Sequence, residues 1–364
     1  MYELALALAR DHAEFEPWFV TNPDLPDSAA IAELGRHGRV APFDDAELHT
    51  DAIYHVPSPL EPVPLDRLWP PGLRASTLVV TLHDLIPAVF PQENMPDPAV
   101  QRFYWARLEL VRQAERVLSV SRATARDAVA LLGLRPDRMI VTGNGVSDDF
   151  APPQSREAAL AAVHSLRPGV DGEFVLYTGG MDYRKNVGGL LTAYAGLPPD
   201  VRSSYKLVIV GRLGLENQYG RFAAQAERLG ISDRVIFTGH VSEDELILLY
   251  QATALFVFPS LYEGFGLPVV EALACGAPAI AGLNSSLVEL FEQEEAFFDA
   301  ADPLSIQAAL ERALNDGELL ERLRRPDVRE RFAWRRIADR MAAAYEEVAN
   351  RTVTPRRLSA VTLG

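Results

Sequence analysis

Seven short apolar, β-branched runs recur along the chain with helical stretches between them: Leu78-Val-Val-Thr-Leu82, Val117-Leu-Ser-Val120, Met139-Ile-Val-Thr142, Phe174-Val-Leu-Tyr-Thr178, Leu207-Val-Ile-Val210, Val235-Ile-Phe-Thr238 and Leu255-Phe-Val-Phe258. Continuous apolar runs of this length, alternating with helices, are the pattern of parallel sheets covered on both faces. The fold class is therefore α/β. At 364 residues the chain exceeds one typical domain, so two are expected. The pattern lapses between Asp148 and Gly172 into Asp-Asp-Phe-Ala-Pro-Pro, an Ala-rich helix and Pro168-Gly169, which places the junction there. The predicted division is 1–150 and 151–333. After Trp334, Ile337, Met341, Ala344 and Tyr345 recur at helical spacing, so a helix over about 334–350 must dock its apolar face somewhere. The tail from Arg351 to Gly364 is expected to fray.

Composition removes several classes of function. A formal net charge of −15 would repel a polyphosphate backbone, and no Arg-rich tail or RNA-binding signature offsets it, so nucleic acid is not an expected partner. The single cysteine, Cys275, excludes an intrachain disulfide and sits in an Ala/Gly-rich apolar run as a small buried hydrophobe, consistent with a reducing cytoplasm. The opening Met1-Tyr-Glu3-Leu-Ala-Leu-Ala-Leu-Ala-Arg10 carries Glu3 early and has no basic leader. It reads neither as a signal peptide nor as a membrane span.

Several of the runs end at turns: His83-Asp84, Gly143-Asn144-Gly145, Gly179-Gly180, Gly211-Arg212, Gly239-His240 and Pro259-Ser260. Open α/β sheets bind ligands outside the carboxyl ends of their strands, although any single turn of this kind can equally be a plain connection. The last is the most informative. Leu255-Phe-Val-Phe258 is followed by a loop, then Pro268 at the expected first position of a helix through Val269-Val-Glu271. Glu263 would then sit at a loop tip and Glu271 in the first helical turn. A helix N-terminus attracts phosphate, Gly264 and Gly266 allow close backbone approach, and a carboxylate can accept two hydrogen bonds from vicinal hydroxyls. Two glutamates eight apart could equally do no more than favour a helix dipole and solvate a loop.

The full string Glu263-Gly-Phe-Gly-Leu-Pro-Val-Val-Glu271-Ala-Leu-Ala-Cys-Gly-Ala-Pro-Ala-Ile closely resembles the E-x7-E donor-site signature of retaining glycosyltransferases of sequence family 4. That family has the GT-B fold, two Rossmann-like domains facing across a cleft. Phe174-Val-Leu-Tyr-Thr-Gly-Gly-Met-Asp-Tyr-Arg-Lys-Asn186 is similar to its first donor-domain strand and phosphate loop, and Leu78-Val-Val-Thr-Leu-His-Asp-Leu-Ile-Pro87 to its His-Asp strand end. The helix after Trp334 would cross back onto the N-terminal domain.

Carried over residue by residue, the resemblance implies that Arg184 and Lys185 neutralise a donor diphosphate as it leaves. Lys185 is one of only two lysines, with Lys206, among 35 basic residues, which suits a compact charge beside phosphate. Gly180 stands where many relatives carry arginine, so Arg212 from the next strand end could complete the clamp. Glu271 would hold the ribose. Glu263, Gly264 and the backbone of Phe265, Gly266 and Leu267 would hold sugar and phosphates, and the turn leading to Val241 would lie against the base. His83 would face the transferred sugar. Ser119, Ser121 and Asn144-Gly145-Val146 also match, in packing and hinge roles.

The implied activity is retaining transfer of a hexose from a nucleoside-diphosphate sugar to a glycan or lipid-linked acceptor. The His-Asp-Leu-Ile-Pro and Arg-Lys-Asn strings resemble mannosyl- and related transferases of bacterial polysaccharide assembly, which makes GDP-mannose the first donor to consider. No Asp-x-Asp occurs, so neither a metal nor a further cofactor is expected. P-loop, Gly-x-Ser-x-Gly and dinucleotide fingerprints are missing as well. Relatives begin with a strand and a Gly-rich loop ahead of a helix resembling Tyr2-Glu-Leu-Ala-Leu-Ala-Leu-Ala9, and that strand is not found in front of it here. The alternative is therefore a sugar-nucleotide-binding protein without turnover. Eight arginines between Arg102 and Arg138 face only Glu109, Glu115, Asp127 and Asp137. This is either a solvated helix face or a peripheral contact with the inner membrane face.

Overall fold

The computed structural model describes residues 2–21, 28–42, 52–73, 76–211, 215–351 and 358–363. The strands are β1 (Trp18–Thr21), β2 (Arg39–Pro42), β3 (Ile53–Val56), β4 (Thr77–Leu82), β5 (Arg116–Ser119), β6 (Met139–Val141), β7 (Glu173–Thr178), β8 (Tyr205–Val210), β9 (Val235–Gly239), β10 (Leu255–Phe258), β11 (Ala279–Gly282), β12 (Phe297–Phe298) and β13 (Leu358–Leu363). They form two sheets in two compact units, Met1–Ser147 with Phe332–Gly364, and Asp148–Arg331.

In the first unit the strand order is β2-β1-β13-β3-β4-β5-β6, and every pairing is parallel. The alternation of side chains along β4 shows why both faces must be covered. Leu78, Val80 and Leu82 enter a core with Tyr104, Leu108 and Val111 of the helix Pro98–Gln113. Val79 points into the opposite core, with the helix Tyr2–Asp11 and with Ile337, Met341, Ala344, Tyr345 and Val348 of the helix Trp334–Arg351. That last helix docks the apolar stripe read from its spacing, and Tyr345 OH also meets Nδ1 of the buried His55 at 2.7 Å, whose Nε2 lies 2.8 Å from Thr81 Oγ1.

The tail departs from expectation. Leu358–Leu363 does not fray but forms a strand between β1 and β3, pairing Phe19 with Val361 and Ile53 with Leu358. A parallel sheet gains backbone hydrogen bonds from any strand that enters an open slot, so a segment with no distinctive local signal was recruited by the tertiary fold.

The second unit has the order β12-β11-β10-β7-β8-β9, again all parallel. The residues of β10 and β11 are buried throughout. Cys275 is also buried, and burial pushes its thiol up to about 12, as suits a packing residue.

Candidate active site

Three charged side chains predicted from the sequence converge in the second unit. After β7 the chain passes through a short turn, Tyr183–Lys185, which Asn186 ends in the left-handed conformation at φ 52° while its side chain caps the next helix by accepting from Gly189 N at 3.2 Å. This turn aims Arg184 and Lys185 at the loop after β10. Glu263 meets both: Lys185 Nζ lies 2.6 Å from Oε1 and the Arg184 guanidinium 2.7 Å from Oε2. Ser260 Oγ donates to Oε1 at 2.6 Å. Lys185 also sits 5.0 Å from the Phe258 ring centroid, a further attraction for the ammonium.

Glu263 is not the exposed loop tip expected; it is 8% exposed. A second loop fixes it, because Glu263 N donates to Ser285 Oγ at 2.8 Å and the single Ser286 hydroxyl proton is placed between Glu263 O at 3.0 Å and Phe265 O at 2.9 Å, either of which can accept it. Asn284 Nδ2 donates to Ser260 O at 2.9 Å.

The helix after this loop is Leu267–Ala274, with Pro268 in its first turn and Gly266 before it at φ +105°. A Cβ on Gly266 would lie 2.7 Å from Leu287 Cδ2, so both backbone conformation and space require glycine. Since the helix begins at Leu267, Glu271 lies beyond the first turn, where the dipole interaction is spent. It accepts from Tyr250 OH at 3.0 Å instead, and Tyr250 OH is 2.6 Å from Thr178 Oγ1 at the end of β7. Burial raises the Glu271 carboxyl to about 7, against the opposing effect of the Tyr250 hydrogen bond. Burial makes this partly exposed carboxyl costly to ionise.

The remaining candidates fall as follows. Tyr177 OH donates to Gly180 O at 2.6 Å, which shapes the loop leading to Arg184. Val241 is buried, beside the helix Glu243–Ala252. Gly264 is buried, while Phe265 and Leu267 are partly exposed. Arg212 lies outside the described residues.

His83 belongs to the other unit, at the carboxyl end of β4. Its Nε2 lies 3.0 Å from Pro57 O, and Thr124 Oγ1 donates to its main-chain oxygen at 3.1 Å. Burial lowers its pKa, and since a carbonyl can only accept, the neutral ring carries its proton on Nε2. In the same unit Ser121 caps the helix Arg122–Leu132 by accepting from Thr124 N at 3.0 Å. At Gly145 a Cβ would lie 2.3 Å from the Trp334 ring, and Val146 N donates to Phe332 O at 2.9 Å. Ser119 is fully buried in β5.

Sequence reasoning missed Tyr250, Asn284, Ser285 and Ser286, and named Ser260 only as part of the turn after β10. Asn284–Ser286 follow β11, whose Ala-Ile-Ala-Gly lacks the β-branched run that marks the other strands. Tyr250 sits on a helix and gives no signal apart from its partner.

Comparison with known proteins identifies the family and the fold. Residues 164–326 match the family described as Glycosyl transferases group 1, and residues 1–150 match Glycosyltransferase Family 4. The chain is 30% identical over 300 residues to the O-antigen chain mannosyltransferase B of Escherichia coli, covering 82% of this chain and 75% of that one. It is 31% identical over 297 residues to the serotype-specific mannosyltransferase WbdA of Escherichia coli, covering 80% of this chain but only 34% of WbdA. The chain thus spans about a third of that relative's length. Among solved structures, sucrose-phosphate synthase from Thermosynechococcus elongatus aligns with a TM-score of 0.70 at 21% identity over 95% of this chain and 92% of its own. Anabaena HepE, solved with UDP and glucose, aligns with a TM-score of 0.71 at 19% identity over 95% and 96%. The fold is GT-B, and the chain belongs to the family 4, group 1 glycosyltransferases.

Proposed function

We propose that this chain transfers a hexose from a nucleoside-diphosphate sugar to a glycan or lipid-linked acceptor, with retention of configuration and without a metal ion. The observation that carries the reading is the Arg184–Lys185 pair gathered on buried Glu263 just ahead of the helix Leu267–Ala274. Two cations and a helix N-terminus suit a diphosphate, whose negative charge grows as the glycosidic bond breaks, so fixed positive charge there lowers the barrier. Glu271 accepts from the ribose hydroxyls, and Glu263 reaches the sugar. In the first unit His83 is neutral near pH 7, a hydrogen-bonding group rather than a charge, and the family resemblance alone assigns it to the transferred sugar. The mannosyltransferase relatives make GDP-mannose the first donor to test.

Thermal-shift titration with GDP-mannose, UDP-glucose, ADP-glucose and the parent diphosphates, followed by transfer assays in EDTA with NMR of the product anomer, tests this. Stabilisation by one nucleotide class and transfer with retention are expected. No stabilisation by any of them would overturn the donor site. Binding with neither transfer nor donor hydrolysis would make the chain a binding protein, and loss of activity in EDTA would remove the metal-free reading.

We also propose that the helix Pro98–Gln113 meets an anionic membrane surface where a lipid-linked acceptor resides. Val100, Phe103 and Trp105 are 45%, 40% and 41% exposed, with Arg102 exposed beside them, the mix of apolar and basic groups that seats a helix at an interface. No helix among the described residues is long and apolar enough to cross a membrane. Flotation with phosphatidylglycerol vesicles, lost in Trp105→Ala, is expected; flotation indifferent to anionic lipid would refute the contact.

A further inference from the structure

The donor-free site already contains an anion. Glu263 is held by Lys185 at 2.6 Å and Arg184 at 2.7 Å, the two cations assigned to the donor diphosphate. The contacts are sheltered: the Glu263 side chain is 10% exposed, Lys185 12% and Arg184 18%. The only other carboxylate paired with these two groups among the described residues is Asp182, 3.6 Å from Arg184 Nε and half exposed, too wet to compete strongly. Neither cation is therefore idle before a nucleotide arrives.

We propose that Glu263 is an internal stand-in for the donor diphosphate, so that donor binding exchanges one anion for another and the returning carboxylate helps expel the nucleoside diphosphate product. The inference rests on the donor-site reading above. On binding, the diphosphate takes the cations and Glu263, loosened from them, turns to the sugar hydroxyls, which donate to it. After transfer the sugar has left, the carboxylate has lost those donors, and it competes again for Lys185 and Arg184. No bond is made or broken by Glu263 in this cycle. It is a local competition between two anions for one pair of cations, and it trades ground-state affinity for turnover.

Ser260 sets the strength of the competitor. A hydroxyl has one proton to give, and Glu263 Oε1 at 2.6 Å is much nearer than Arg184 O at 3.2 Å or Tyr262 O at 3.3 Å. The Ser260 bond thus holds Oε1 next to Lys185, which makes the internal pair harder to displace.

Calorimetric titration of the full chain with the nucleoside diphosphate that stabilises it, and with inorganic diphosphate, tests the proposal. Glu263→Gln keeps shape and removes the charge, and is expected to bind both about tenfold more tightly than wild type, one charge-assisted contact's worth, while transfer falls and product dissociation slows in stopped flow. Ser260→Ala leaves the carboxylate in place but less firmly held, and is expected to shift both affinities the same way by a smaller factor. It also keeps the idea open to refutation should the Gln variant misfold. Equal or weaker diphosphate binding in the folded variants would overturn the proposal while leaving the donor site standing. If wild type binds no nucleoside diphosphate at all, the donor-site reading falls and this inference with it.

Discussion

Replacing Glu271 by Gln should stabilise the folded protein and weaken its hold on nucleotide. Burial raises the carboxyl to about 7 from its ordinary 4.5. An acid whose pKa is higher in the folded state binds more protons there than in the unfolded chain between those two values, so its contribution to stability is lost as the pH rises from 4.5 through 7. At 1.36 kcal/mol per pH unit the loss reaches about 3 kcal/mol above pH 7. Glu271 keeps some contact with solvent, which screens the ionised form, and about 2 kcal/mol is the expected gain for Glu271→Gln at pH 8. A unit of this size shifts by about 2–4 °C per kcal/mol, so its melting temperature should rise by roughly 4–8 °C. The gain should shrink to nothing near pH 4.5, because the wild-type carboxyl is then already neutral, and the Gln carbonyl can still accept from Tyr250. Nucleoside diphosphate affinity should fall about 10- to 100-fold, the cost of two charge-assisted hydrogen bonds from the ribose. Wild-type affinity should itself climb with pH and level off above about 7. Differential scanning fluorimetry at pH 4.5, 6 and 8, with calorimetric titration at pH 8, reads all of this. A melting shift independent of pH, or a variant less stable at every pH, would refute burial as the origin of the raised pKa. Unchanged nucleotide affinity would remove Glu271 from the site.

Two further outcomes follow from backbone geometry. Deleting residues 352–364 withdraws β13 and leaves β1 and β3 with unpaired edges; the first unit should lose several kcal/mol at about 1 kcal/mol per hydrogen bond, while nucleoside diphosphate binding by the second unit persists. Unchanged calorimetric unfolding would show that β13 contributes nothing. Gly266→Ala must hold alanine at φ +105° with its Cβ 2.7 Å from Leu287, so about 2 kcal/mol of stability and most donor affinity should be lost, whereas a wild-type melting curve and affinity would show that the loop can relax.

The sequence carried the donor side of this protein well because its information there is local. The β-branched runs from Phe174 to Phe258 mark strands buried on both faces, and β7, β8, β9 and β10 lie where those runs are. The apolar run Leu255–Phe258, the glycines around Glu263 and Pro268 mark a strand, a loop and a helix start within fourteen residues. That Arg184, Lys185 and Glu263 belong to one site was legible through a family resemblance, since nothing in the spacing of residues 184 and 263 says they touch.

What the tertiary structure alone decided is the state of each group. Glu263 reads as a loop carboxylate in sequence and is buried between two cations in the fold. Glu271 reads as a carboxylate in the first turn of its helix; it lies beyond that turn and accepts from Tyr250, 21 positions earlier. The tail reads as a frayed end, yet it pairs between β1 and β3, more than 300 residues away in sequence. Local patterning determines which segments are strands or helices because propensity and amphipathic period act over a few residues. Charge state, ion pairing and strand order depend on what burial removes from water and on which backbone edges are left open, and those are set only when distant segments meet.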